Sequence, residues 1–177
     1  MVTSVRDDQL QDPTPCPAYC VADLLDHIGG LAVAFTEAAR KSASVGGHQP
    51  SGDGARLESG WRDRIAGALT ELAEAWRTPG AFDGMTQAGP VELPAAVAFQ
   101  VALNEVVVHG WDLARATGQP YAPDAEAVAT CLAFAASFEV PEDAGQGPFG
   151  PPVPVRDDAP ALDRLAAATG RRPDWAA

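Results

Sequence analysis

From Val21 onward the apolar residues fall into helical step. Leu24, His27, Leu31, Ala34, Phe35 and Ala38 recur at spacings of three and four, which predicts one face of a helix running from Val21 to about Arg40. Gly29-Gly30 inside it weakens helix propensity by ~1 kcal/mol per glycine relative to alanine. Close approach of a neighbouring backbone is the expected reason for that cost. Upstream, Asp12-Pro13-Thr14-Pro15-Cys16-Pro17 excludes a helix, since each proline removes a donor and biases its predecessor towards extended geometry.

Ser42 to Ser59 is rich in glycine, serine and polar residues and reads as a loop. A second helix is expected from Trp61 to Arg77, with Trp61, Ile65, Ala68, Leu69, Leu72 and Trp76 on one side and Thr78-Pro79-Gly80 as its stop. Ala81 to Leu93 reads as a connection with some extended structure. Pro94 suits the first turn of a third helix, which should run to Thr117 and end at Gly118. That helix is apolar nearly all round, so it should lie centrally. A fourth helix is expected over roughly Asp124 to Phe138. A Pro- and Gly-rich connection then spans Pro141 to Pro160, and a short helix covers Ala161 to Thr169. With no internal repeat and no second domain, the pattern predicts an all-α four-helix bundle in one domain, residues 1–177.

Composition narrows the function. Lys+Arg 12 against Asp+Glu 24 gives a net charge of -12, which repels phosphate backbones and anionic lipid surfaces. Nucleic acid and membrane are therefore excluded as expected partners. No apolar run approaches the ~20 residues that span a bilayer, and the N-terminus has no secretory pattern. Cys16, Cys20 and Cys131 are too few for a disulfide framework, so a cytoplasmic protein with reduced thiols is expected. Cys16-x3-Cys20 lacks the second pair that structural zinc needs and reads as two small, buried or half-buried thiols.

The third helix holds Glu105-Val-Val-Val-His109. The i,i+4 spacing sets both side chains about 40° apart on one face, one turn above the other. Their flanking residues on that face are Ala98, Val101, Ala102, Val108 and Ala116, so Glu105 should project towards an apolar interior. An unpaired buried carboxylate is expensive by several kcal/mol, and a cation would neutralise it. His27, between Leu24 and Leu31, aims from the first helix at the same interior. Two histidines and a carboxylate suit Zn²⁺ with a fourth position open, or the facial triad of a non-haem iron site. The same three residues could also form a hydrogen-bonded core cluster, and pattern alone leaves both readings open.

Several stretches resemble a known family. They are Thr14-Pro15-Cys16-Pro17 with Asp23-Leu24-Leu25-Asp26-His27, and Glu105 to Gly118. Phe149-Gly150-Pro151-Pro152-Val153-Pro154 and Leu162 to Arg171 add to them. Together they are similar to the DinB-like metal-binding superfamily and, more narrowly, to the actinobacterial group around the N-terminal domain of mycothiol-dependent maleylpyruvate isomerase. The resemblance implies a divalent metal held by His27, Glu105 and His109, most readily zinc, with nickel or iron as alternatives. It also implies mycothiol or a similar thiol as co-substrate. Members add a low-molecular-weight thiol to an electrophile, or isomerise through the adduct. The isomerase has a further C-terminal domain that this sequence lacks, so a related thiol S-transfer or isomerisation is expected rather than maleylpyruvate isomerisation itself.

The expected function is thus a metal-dependent enzyme that activates a thiol or water. The alternative is a non-catalytic protein that binds or senses metal or a small molecule. Expected partners are a small-molecule substrate or thiol and, at most, a second copy in a homodimer. Asp112 could orient a ligand, but an Arg–Asp ion pair with Arg115 beside a packed Trp111 is the simpler expectation. Asp23 could act in the same way with less support. His48 reads as solvated, and Gly145-Gln146-Gly147-Pro148 as loop composition. No P-loop, dinucleotide fingerprint or nucleophile elbow occurs.

Overall fold

The computed structural model describes residues 1–42, 51–137 and 149–176. His48, Phe138 and Gly145-Gln146-Gly147-Pro148 lie outside the described residues. Among the described residues, five α-helices and one hairpin make up the regular structure, apart from three short 3₁₀ turns. The helices are α1 (Val21–Arg40), α2 (Trp61–Trp76), α3 (Ala95–Thr117), α4 (Ala125–Ala136) and α5 (Ala161–Ala168). Strands β1 (Met85–Ala88) and β2 (Val91–Pro94) pair antiparallel, Met85 opposite Pro94 and Ala88 opposite Val91. Gly89, with φ 57°, turns the chain between them. The fold is mostly helical as expected, with this small sheet added, largely within the Ala81 to Leu93 connection where some extended structure is expected. Thr86 is buried and its hydroxyl donates to Ala38 O at 2.6 Å, which fastens the hairpin to the end of α1.

The helix ends follow ordinary capping chemistry. Asp124 caps α4 by accepting from Glu126 N and Ala127 N, and Gly118 ends α3 at φ 67°. Pro94 stands one position earlier than expected: it is the N-cap of α3 and the last residue of β2. At the start of α1, Asp23 accepts from Cys20 N at 3.1 Å and from the Cys20 thiol at 3.0 Å. Its other oxygen accepts from Gly54 N at 2.8 Å. Asp23 therefore closes a helix N-terminus and tethers a loop.

Packing runs in series: α2 lies on α1, α1 on α3, α3 on α4, and α5 on α4. Helix α1 is consequently covered on two sides. Its buried face, Leu24, Leu25, Ile28, Ala32, Phe35, Ala38 and Ala39, is broader than the expected stripe. Gly29 does permit a close approach, but of a side chain: a Cβ there would meet Ile65 Cγ1 at 3.1 Å. The backbone approach expected from the sequence is corrected to this contact. One cluster gathers Leu24, Leu25, Trp61, Ile65 and Leu113, and a second gathers Phe35, Leu72, Trp76 and Ala98. Val107, Val108, Val128, Cys131 and Leu165 form a third between α3, α4 and α5. Helix α3 touches all three, as its all-round apolar sequence requires. Among the described residues no helix is long and apolar enough to cross a membrane.

Candidate metal centre

Helices α1 and α3 bring the three sequence-singled residues together. His27, Glu105 and His109 offer ligand atoms that all lie within 4.8 Å of one another. His109 Nε2 is 3.0 Å from Glu105 Oε2, and His27 Nε2 is 3.9 Å from the same oxygen. The two imidazoles meet edge to face, with centroids 5.0 Å apart. The Tyr19 ring stands 5.1 Å from that of His27. His109 is buried, while the Glu105 side chain keeps 21% exposure. One edge of the cluster therefore reaches solvent.

Behind the cluster sits an ionic chain. Asp112 is fully buried and its Oδ2 lies 3.0 Å from His109 Nδ1. Arg171 Nη2 donates to the same oxygen at 3.0 Å, and Arg171 Nε donates to Oδ1 at 3.3 Å. Arg171 Nη1 also donates to Thr169 O at 2.7 Å. A carboxylate locked to arginine only accepts, so Nδ1 of His109 carries its proton and Nε2 faces Glu105. This is how a metal-ligating histidine is held when its outer nitrogen is fixed by a carboxylate.

The expected ion pair for Asp112 exists, but with Arg171 rather than Arg115. Arg115 is exposed, donates to Pro173 O and Trp175 O, and lies 5.6 Å from the buried Trp111 ring. Arg171, 59 residues beyond Asp112, received no role from the sequence. Its signal was faint: one arginine in the Thr169-Gly170-Arg171 tail. Gly170 sets its position, at φ 84° and so close to Gly150 that a Cβ would come within 2.8 Å of Gly150 Cα. Asp23 does not join the cluster, because its oxygens are taken at the α1 N-terminus.

Charge in the cluster is unevenly shared. Burial by itself would raise the Glu105 carboxyl, but the His109 hydrogen bond and the charges of His109, His27 and Arg171 outweigh it and hold it below its ordinary value. Burial would lower His109, and the bonds to Asp112 and Glu105 reverse that, so its pKa is raised. Burial also raises the Cys16 thiol, against the pull of nearby Arg171. Cys16 thus stays a protonated thiol beside the site, a poor nucleophile. Among the described residues, His27, Glu105 and His109 form the one group of three or more such donors; Cys16 and Cys20 are outside it, as half-buried free thiols.

The donor set fits a divalent cation. Tetrahedral zinc, with bonds of about 2.0–2.2 Å, spaces its donors roughly 3.4 Å apart, close to the 3.0 and 3.9 Å found here. The family described as the mycothiol maleylpyruvate isomerase N-terminal domain matches residues 1–114, a span that includes all three donors. The chain belongs to this family. Relatives include uncharacterized proteins from two strains of Mycobacterium tuberculosis, CDC 1551 / Oshkosh and H37Rv. Each is 30% identical over 180 residues, covering 97% of this chain and 90% of the relative. No solved structure matches the chain significantly. The family match stops before Arg171, while the two relatives extend over nearly the whole chain.

Proposed function

We infer that this family member is a metal-dependent enzyme, in a DinB-like helical bundle, acting on a small electrophile with a mycothiol-like thiol or with water. The observation that carries the reading is the convergence of His27, Glu105 and His109 from two helices, with Asp112 and Arg171 locked behind His109. His27 Nε2, His109 Nε2 and a Glu105 oxygen would hold the ion, zinc being the best match to two imidazoles and a carboxylate. When bound, the ion would lower the pKa of a thiol or water beside it and so supply a nucleophile near neutral pH. The chain's own residues do the rest. Asp112 keeps the proton of His109 on Nδ1, and Arg171 keeps Asp112 an acceptor. Ile28 and Ala102, which line a small void with Glu105, keep water from the inner side of the cluster, whereas the exposed edge of Glu105 leaves a way in for the reactants.

The purified chain, loaded with zinc, should contain close to one ion per chain, and His27→Ala and His109→Ala should each lose it. Full occupancy in both variants, read by elemental analysis, would sink the assignment. A cobalt-loaded sample titrated with mycothiol should then gain an intense near-ultraviolet charge-transfer band. A spectrum indifferent to mycothiol and to simple thiols alike would leave water as the nucleophile. Metal binding without turnover of any electrophile offered with mycothiol or water would favour the non-catalytic, sensing alternative.

A further inference from the structure

Helices α2 and α3 do not pack extensively on each other, because an apolar groove of about 830 Å³ runs between them. That volume lies within the range of roughly 300–1,000 Å³ typical of small-molecule sites. Trp76, Phe82 and Phe99 form one of its walls as an aromatic cluster, with ring centroids 4.9 to 5.5 Å apart. Among the described residues, the only charged one lining it is Arg77, in a chain whose net charge is -12. The groove also approaches the metal centre. Leu72 of α2 and Ala102 and Val106 of α3 line it, and the same three residues line a small void of about 10 Å³ whose wall includes Glu105.

We propose that the groove holds the apolar, ring-bearing part of the substrate, with the reactive end directed past Val106 and Ala102 to the Glu105 cluster. The substrate class is a small aromatic or branched apolar molecule, neutral or anionic at its far end. The inference rests on the metal-dependent reading above. A second copy of the chain is the rival occupant, since Phe82 and Val106 remain 45% and 40% exposed. A flat partner face would not explain the volume of the groove or the residues it shares with the void at Glu105.

Hydroxamates separate the two levels, because their head group binds metal whatever the tail. Acetohydroxamate, phenylacetohydroxamate and 4-phenylbutanohydroxamate are titrated calorimetrically into the zinc-loaded full chain. The expected result is a gain on the order of a hundredfold in affinity for the longest tail over acetohydroxamate, as burial of a phenyl ring would give. Val106→Trp, which fills the groove from an exposed position, should shrink that ratio to within about threefold. Phe82→Ser, which opens its rim, should lower it by about tenfold, and melting curves with metal content certify that both variants are folded. Equal affinities along the tail series would overturn the groove assignment while leaving the metal centre intact. Failure of acetohydroxamate and zinc to bind at all would overturn the metal reading and this inference with it. A tail-independent affinity together with a dimer in sedimentation that Val106→Trp dissolves would give the groove to a second copy instead.

Discussion

Asp112 is where one atom's partners decide most. Its carboxylate is fully buried between His109 Nδ1 and Arg171, so Asp112→Asn leaves a guanidinium buried against a neutral amide. Breaking one side of a buried pair costs about 3–5 kcal/mol, and thermal melting should show that loss. Because the amide holds His109 less firmly, zinc affinity should fall about 10–100-fold, read by competition with a chromophoric chelator. Arg115→Ala is the informative contrast. Arg115 bonds only exposed carbonyls near the C-terminus, so its loss should leave zinc affinity unchanged. Equal weakening by the two substitutions would disprove the Asp112–Arg171 arrangement. The three donors are legible in the sequence because each lies on a core-facing helical stripe, where a polar residue stands out. The partner of Asp112 is not. Spacing ties Asp112 to Arg115 one turn on, whereas the guanidinium that reaches it arrives through a tail turn at Gly170, which no periodicity records.

At the scale of elements, α3 carries a conflict at Gly110, the residue after His109. Alanine would favour the helix by ~1 kcal/mol, yet a Cβ there would stand 2.6 Å from the Tyr121 hydroxyl and 2.9 Å from Tyr121 Cζ. That hydroxyl is anchored, donating to Val107 O at 2.9 Å. Gly110→Ala should therefore destabilise by about 1–3 kcal/mol, as overpacking does. Tyr121→Phe removes the nearest atom of the clash, so the double variant should lose less than the sum of the single losses. Urea unfolding of the four proteins measures the coupling, and strict additivity would contradict the contact. The long helices are legible because a 3.6-residue period survives over four to six turns. Some extended structure is expected between Ala81 and Leu93, but the pairing of the hairpin is not legible there, because Met85-Thr86-Gln87-Ala88 has weak alternation and only four residues. The stripe of α1 is read too narrow, since a helix packed against both α2 and α3 buries two faces and blurs its period. In the same way, Gly29 announces a close approach without saying whether backbone or the Ile65 side chain makes it.

For the whole molecule, protons and metal compete for one cluster, and stability should report the competition. Without metal, the charged groups facing one another are Glu105, His109, His27, Asp112 and Arg171, with the Cys16 thiol beside them. The raised pKa of His109 contributes stability that is fully present below its ordinary 6.5 and is lost as pH rises through the raised value. The lowered pKa of Glu105 contributes stability present above its ordinary 4.5 and lost as pH falls through the depressed value. Chelated protein should therefore gain most from the cluster between those two ordinary values and lose that gain as pH rises through the raised value of His109. Zinc reverses the trend, because ligation needs His109 Nε2 free of its proton. Stabilisation by zinc at a hundredfold excess over its dissociation constant is ~2.7 kcal/mol, and a rising affinity means more of it at pH 8 than at pH 5.5. The net charge of -12 also changes stability with pH, but it does so in the presence and absence of zinc, and in His109→Ala as well. The decisive quantity is thus the gap in melting temperature between zinc-loaded and chelated protein, which should widen with pH in the wild type and vanish in His109→Ala. Coincident curves at all pH values would mean that the three side chains are a hydrogen-bonded core cluster, stable by themselves and indifferent to the ion.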